Sequence, residues 1–315
     1  MNIVFLDKKT VGDVGNLNML HKLGNLSVFD TTEPEQVIER SGDKEVIITN
    51  KVRIGQEIID LLPRLKLICV AATGMNNVDT AYAREKGIVV KNVVSYSTDS
   101  VAQVTFSMLL MLVNRPDYYD SYVKSGAYAR SSLFTHHGPV FWEMAGKRMG
   151  IIGLGNIGRR VAKIAEGFGM EVVFYSTTGR NNNINYKRFD LNTLLRTSDV
   201  VSIHAPLTED TRDLITYEKL KLMRACAVIL NTGRGGIINE EGLARALNEN
   251  VIAAAGIDVF TEEPIKPANP LLKVLDREKI ILTPHIAWAS REARERLIEK
   301  IAKNIESFKR EYLNA

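Results

Sequence analysis

Three side chains in the C-terminal half offer the chemistry of this chain: Arg234, Glu263 and His285. A guanidinium binds a carboxylate through two parallel hydrogen bonds and stays charged at any working pH. An imidazole titrates near neutrality, so it both gives and takes a proton. A carboxylate on the other ring nitrogen fixes the tautomer and favours the protonated form. Interconversion of an alcohol and a ketone needs these three groups beside a nicotinamide. The first holds an acidic substrate and polarises its carbonyl, the second moves the hydroxyl proton, and the third tunes the second. Ser-His-Asp hydrolysis fits poorly, because no serine sits in a nucleophile-elbow setting.

The nicotinamide expectation comes from residues 147–176. An apolar run (Met149, Ile151, Ile152) meets Gly153-Leu154-Gly155-Asn156-Ile157-Gly158, then a helical pattern to Phe168 and a second apolar run over 171–175. Strand, glycine turn, helix and strand make a βαβ unit. Gly153 is read as the tight turn, Gly155 as the close approach to a pyrophosphate, and Gly158 as close helix–strand packing. The phosphates would sit on the N–H groups and positive end of the helix that starts near Asn156. About 20 residues on, an acidic side chain would bond the ribose 2′-hydroxyl of NAD. This chain reads Ser176-Thr177-Thr178-Gly179-Arg180 there. With no carboxylate to repel a 2′-phosphate, the loop favours NADP over NAD, although a neutral loop also accepts NAD.

Arg234, Glu263 and His285 need elements to bring them to this cofactor. Strand patterns recur at 200–204, 228–231, 254–257 and 280–282, with helical patterns at 191–196, 217–222 and 240–248 between them. Each strand ends in a polar loop at one sheet edge: 204–208, 231–236, 258–264 and 283–287. The first hundred residues repeat the alternation without a phosphate-binding glycine turn. Strand patterns lie at 3–6, 26–29, 46–49, 67–71 and 89–90, with helical spacings at 14–23, 34–40, 56–62 and 78–86. That is a second parallel sheet and a candidate substrate domain. In it, residues 71–77 follow a strand and read either as a plain turn or as consecutive N–H groups around Gly74 facing a small anion. Lys51 reads as a solvated lysine or as a cation at the same rim.

An apolar helix is expected over 97–114, with Asp99 or Ser100 as its cap. Tyr118, Tyr119, Tyr122 and Tyr128 read as packing, His136-His137 as an ordinary loop rather than a metal site, and 181–183 as a polar loop. The last helix, 290–312, is amphipathic and would return to the first domain, with crossings near 97 and 288.

At 315 residues, 45% apolar and 25% charged, the chain suits a soluble protein of two domains. A net charge of +4 without clustering argues against a nucleic-acid surface. Cys69 and Cys226 lie in apolar runs and are expected to be buried free thiols. No basic leader, signal region or long apolar stretch is evident, so a cytoplasmic location is expected.

The residues at Gly153–Gly158, Asn231-Thr-Gly-Arg-Gly, Gly256-Ile-Asp-Val-Phe-Thr-Glu-Glu-Pro264 and Thr283-Pro-His-Ile-Ala287 together resemble, in order and spacing, the D-isomer-specific 2-hydroxyacid dehydrogenases. The glycerate dehydrogenase (hydroxypyruvate reductase) members are the most similar in look, through Ile48-Thr-Asn-Lys51, Ala71-Ala-Thr-Gly74, Tyr96-Ser-Thr98 and His285-Ile-Ala-Trp288. The resemblance implies two doubly wound parallel-sheet domains, Rossmann-like and flavodoxin-like, with the active site in the cleft between them. A substrate domain of 1–97 plus 288–315 would accompany a dinucleotide domain of 98–287, in a homodimer. It also implies the roles given above to Arg234, Glu263 and His285. Asp258 would hold the nicotinamide carboxamide, and Pro206, Thr211 and Thr232 would line the cofactor. Lys51 and the N–H groups of Thr73, Gly74 and Met75 would hold the substrate carboxylate, and Trp288 would shape the pocket. Ser176 stands where many members carry Asp, and Gln103 where many carry Glu. Two rivals share the fold: a cofactor-sensing corepressor-like binding protein, and an enzyme acting on a larger acid such as 3-phosphoglycerate.

Overall fold

The computed structural model describes residues 1–181 and 185–313, so Asn182 and Asn183 of the expected polar loop lie outside the described residues. The chain divides into two compact units, Met1–Ser97 with Trp288–Ala315, and Thr98–Ala287.

In the first unit five strands, β1 (Asn2–Phe5), β2 (Asn25–Val28), β3 (Val46–Thr49), β4 (Leu67–Val70) and β5 (Val89–Lys91), run parallel in the order β2-β1-β3-β4-β5. Every residue of β3 and β4 is buried, as strands covered on both faces require. The side-chain period of two sorts them. Ile3, Phe5, Ile48 and Cys69 share one core with the last helix, Arg291–Leu313, while Val4, Ile47, Ile68 and Val70 share another with Ile58, Ile59 and Leu62. The helix supplies Leu297, Ile298, Ile301 and Ile305, all fully buried, from one helical stripe. Each contributes about 1.5–3 kcal/mol by leaving water.

In the second unit seven parallel strands follow: β6 (Arg148–Ile152), β7 (Glu171–Tyr175), β8 (Lys187–Arg188), β9 (Val200–Ile203), β10 (Val228–Asn231), β11 (Ala254–Ile257) and β12 (Ile280–Leu282). Their order is β12-β11-β10-β9-β6-β7-β8. The order reverses between β6 and β9, which is where an open α/β sheet leaves a crevice at the carboxyl ends of its strands. The expected pair of parallel α/β sheets is therefore present.

Several local expectations differ. The helix expected over 97–114 starts at Thr98, so Asp99 and Ser100 sit inside its first turn and not at the cap position before it. Asp99 accepts from Arg160 at 2.7 Å, and Ser100 donates to the carbonyl of Ala287 at 2.6 Å. The helical spacing over 14–23 yields only Asn18–His21. Cys69 is buried, but Cys226 is exposed. The apolar run that contains Cys226 opens in a turn, closed by Ala227 N–H donating to Arg224, and burial begins only at Ala227. His136 does more than occupy a loop, for its ring stacks on Tyr122 with centroids 3.7 Å apart and bonds the Tyr118 hydroxyl. Among the described residues no helix is long and apolar enough to cross a membrane.

Candidate active site

The glycine turn follows β6. Gly153 has φ +91°, and a Cβ there would lie 2.8–2.9 Å from the backbone of His204 and Ala205, at the end of β9. Only glycine fits that turn. A Cβ on Gly158 would lie 2.3 Å from the Gly153 carbonyl, so the helix Asn156–Gly167 presses on the turn itself. Gly155 differs, because a Cβ there would meet nothing within 4 Å. Among the described residues, the N-cap residue, Gly155, gives this helix no side-chain cap. A helix start with room at Gly155 and no side-chain cap from it fits a dinucleotide pyrophosphate. Beside the turn, His204 bonds Ser202 at 2.8 Å, and burial pushes its pKa down to about 3, which keeps the ring neutral.

The loop after β7 is tied to this turn. Asn181 donates to the Leu154 carbonyl at 2.8 Å, and its N–H reaches the Ser176 hydroxyl at 3.4 Å. Ser176 is buried, Thr177 half-buried, and Thr178 and Arg180 exposed. A second guanidinium, unforeseen from the sequence, holds the same loop, where Arg188 on β8 donates to the Gly179 carbonyl at 2.9 Å.

After β9, Thr211 is 2% exposed; its hydroxyl donates to the Pro206 carbonyl at 2.8 Å and accepts from Thr208 N–H at 2.7 Å. Thr211 thus shapes the loop that carries Pro206. After β10, the Thr232 and Thr105 hydroxyls are 2.9 Å apart, and Thr105 gives its only proton to the Val101 carbonyl at 2.8 Å. Thr232 must therefore be the donor of the pair, which leaves its lone pairs as acceptors.

Arg234 is half-buried, with Nη1 on the Gly233 carbonyl at 2.8 Å. Asn231 braces this loop from both sides, accepting from Gly233 N–H and donating to the Arg234 carbonyl. A Cβ on Gly235 would lie 1.8 Å from the Phe260 carbonyl oxygen. The missing side chain is what lets the Arg234 loop close on the loop that follows β11.

That second loop carries Glu263. Its Oε1 accepts from Phe260 N–H at 3.0 Å, and its Oε2 lies 2.7 Å from His285 Nδ1. Both side chains are about 30% exposed (31% and 29%). His285 has φ +53°, a backbone state that costs a non-glycine residue about 1–2 kcal/mol. It is held there by its N–H on the carbonyls of Asp258 and Thr283, at 2.8 and 3.0 Å. The Asp258 carboxylate, 1% exposed, accepts from the Thr283 hydroxyl at 2.5 Å and from Ile286 and Ala287 N–H at 2.9 Å each. Burial raises its pKa, and those hydrogen bonds pull against the rise. Asp258 is thus the anchor of the histidine loop, a task the sequence did not reveal, and three donors leave about one lone-pair site of the carboxylate open.

In the first unit, Lys51 is exposed at the end of β3, Thr73 is exposed, and Gly74 and Met75 are half-buried beyond β4. Thr73 donates to the Val93 carbonyl at 3.0 Å, and Asn92 to the Thr73 carbonyl at 2.6 Å. Trp288 is half-buried, edge-on to Tyr96 with centroids 6.1 Å apart.

Compared with known proteins, residues 106–287, more than half of the chain, match the model of the D-isomer specific 2-hydroxyacid dehydrogenase, NAD binding domain. The chain belongs to this family. It is 38% identical to a hydroxypyruvate reductase of Blautia hydrogenotrophica over 98% of this chain and 97% of the relative. It is 36% identical to a glycerate dehydrogenase of Methylorubrum extorquens over 97% and 95%. Among solved structures, an acyclic imino acid reductase in complex with NADPH and D-Arg superposes with a TM-score of 0.87 at 30% identity, over 99% and 98% of the two chains. As a 2-hydroxyacid dehydrogenase, the chain is an NAD(P)-dependent oxidoreductase acting between a 2-hydroxy and a 2-keto acid.

Proposed function

We propose that the chain reduces a small 2-keto acid, hydroxypyruvate or glyoxylate, to the D-2-hydroxy acid, with NADPH preferred to NADH. The observation that carries this reading is the Glu263–His285 pair at 2.7 Å, held one loop away from Arg234. The N–H groups at Asn156, Ile157 and Gly158 would hold the pyrophosphate, with Pro206, Thr232 and Asp258 at the nicotinamide end. The bound cofactor supplies the hydride. Arg234 pairs with the substrate carboxylate and the charge that develops on the keto oxygen. With Nδ1 committed to Glu263, His285 presents Nε2 and delivers its proton to that oxygen. Lys51 and the N–H groups of Thr73, Gly74 and Met75 hold the carboxylate from the first unit, and Trp288 limits the side chain accepted.

The preference for NADPH is supported by the absence of a carboxylate at 176–180, by Arg180 in the same stretch and by Arg188, whose guanidinium bonds the Gly179 carbonyl. The names of the relatives favour an enzyme over a cofactor-sensing binding protein. A homodimer, implied by the family resemblance, and a cytoplasmic location are part of the proposal.

The test is oxidation of NADPH, and separately NADH, by the purified protein with hydroxypyruvate, glyoxylate, pyruvate and 3-phosphohydroxypyruvate. Turnover is expected with the first two and a higher kcat/KM with NADPH. A ratio favouring NADH overturns the cofactor assignment. Turnover confined to 3-phosphohydroxypyruvate overturns the substrate.

A further inference from the structure

Asp7, two residues past the end of β1, is 3% exposed, and its carboxylate faces the loop that leaves β3. It accepts from Asn50 N–H at 2.9 Å, Lys51 N–H at 2.6 Å and Val52 N–H at 3.2 Å, with the Thr49 hydroxyl at 3.4 Å. Three consecutive N–H groups converging on one point form an anion-binding concavity. Here the chain's own carboxylate fills it. The backbone of Lys51 is thereby committed inward, and only its ammonium is left for an outside anion.

The same loop is stitched to the segment after β4. Asn77 donates to the Val52 carbonyl at 3.0 Å, Ile54 N–H donates to the Asn77 carbonyl at 2.8 Å, and Asp79 N–H returns to the Ile54 carbonyl at 3.0 Å. A short parallel bridge between Ile54 and Val78 closes the seam. Asp7 holds one end of this assembly and Asn77 the other. Between them they fix the base of Lys51 relative to the stretch that contains Gly74 and Met75.

We propose that Asp7, with Asn77, is a positioning residue for substrate binding, setting Lys51 against the Gly74 segment so that both meet one carboxylate. The inference rests on the reading that Lys51 and the Gly74 segment bind the substrate. Asp7 does not touch substrate itself, and its influence runs entirely through the loop it organises. Substituting Asn turns one acceptor oxygen into an N–H donor that faces backbone donors, which loosens that loop while preserving side-chain volume.

The test is a double-mutant cycle on the full chain with Asp7→Asn, Lys51→Ala and the pair, reading KM for hydroxypyruvate, kcat, and NADPH affinity from fluorescence. Asp7→Asn is expected to raise KM by about 10- to 100-fold, with kcat and NADPH affinity little changed. The pair should be no worse than Lys51→Ala alone, because a positioning effect vanishes with the group it positions. Additive effects, or equal losses in KM, kcat and NADPH affinity, overturn the proposal. If Lys51→Ala leaves KM unchanged, the underlying reading of Lys51 fails instead. Should Asp7→Asn not fold, Asn77→Ala takes its place in the same cycle, and additivity there is equally decisive.

Discussion

Replacing His285 by Asn lowers kcat for keto-acid reduction by about 10²–10⁴-fold, the usual worth of a positioned general acid, with the dissociation constant of NADPH nearly unchanged. Asn is the informative substitution. His285 sits at φ +53°, which Asn tolerates better than most residues, so the loop keeps its course while the proton donor is removed. The loop has its own supports in the Asp258 carboxylate, which binds Thr283, Ile286 and Ala287 without help from the imidazole. An equal fall in kcat and in cofactor affinity would show that the ring serves the fold and not the proton transfer.

Replacing Arg234 by Gln lowers kcat/KM for the keto acid by about 10²–10³-fold, as expected when one partner of a desolvated charge pair is cut back. Lys recovers only part of this loss, because it keeps the charge but not the planar fork that grips a carboxylate at two points. The effect should appear in substrate parameters and not in NADPH affinity. The braces at Asn231 reach Gly233 N–H and the Arg234 carbonyl, and therefore survive the change of side chain. Unchanged kcat/KM with Gln would remove Arg234 from the substrate site.

The parts of the fold legible in the sequence are those with a local cause. The strand, glycine turn, helix and strand over 148–175 show themselves because apolar runs have a period and Gly153 needs a positive φ. The fully buried strands β3, β4, β9 and β10 read as largely apolar runs for the same kind of reason. β8 did not, because Lys187 and Arg188 are both charged and exposed at the sheet edge. Cys226 is exposed against expectation because an apolar neighbourhood in sequence says nothing about which residue the turn at 224–227 lifts into solvent.

In the candidate site, residue types at strand ends pointed to Arg234, Glu263 and His285. The expected pairing of Glu263 with His285 is present, and the structure adds its length, 2.7 Å. The supporting groups were invisible for a physical reason. Asp258 meets its partners 25 to 29 residues further on, and Asp7 meets Asn50, Lys51 and Val52 43 to 45 residues away. A buried carboxylate whose partners are backbone N–H groups leaves no pattern in side-chain type. Asp99 shows the converse error, since it stands where a cap is expected and instead pairs with Arg160.

The most direct test of the account is to incubate the purified protein with hydroxypyruvate and NADPH, and separately with NADH, and to resolve the product by chiral chromatography. D-glycerate alone, in an amount equal to the cofactor consumed, is the expected result. L-glycerate, a racemate, or cofactor oxidation with no glycerate formed would contradict it.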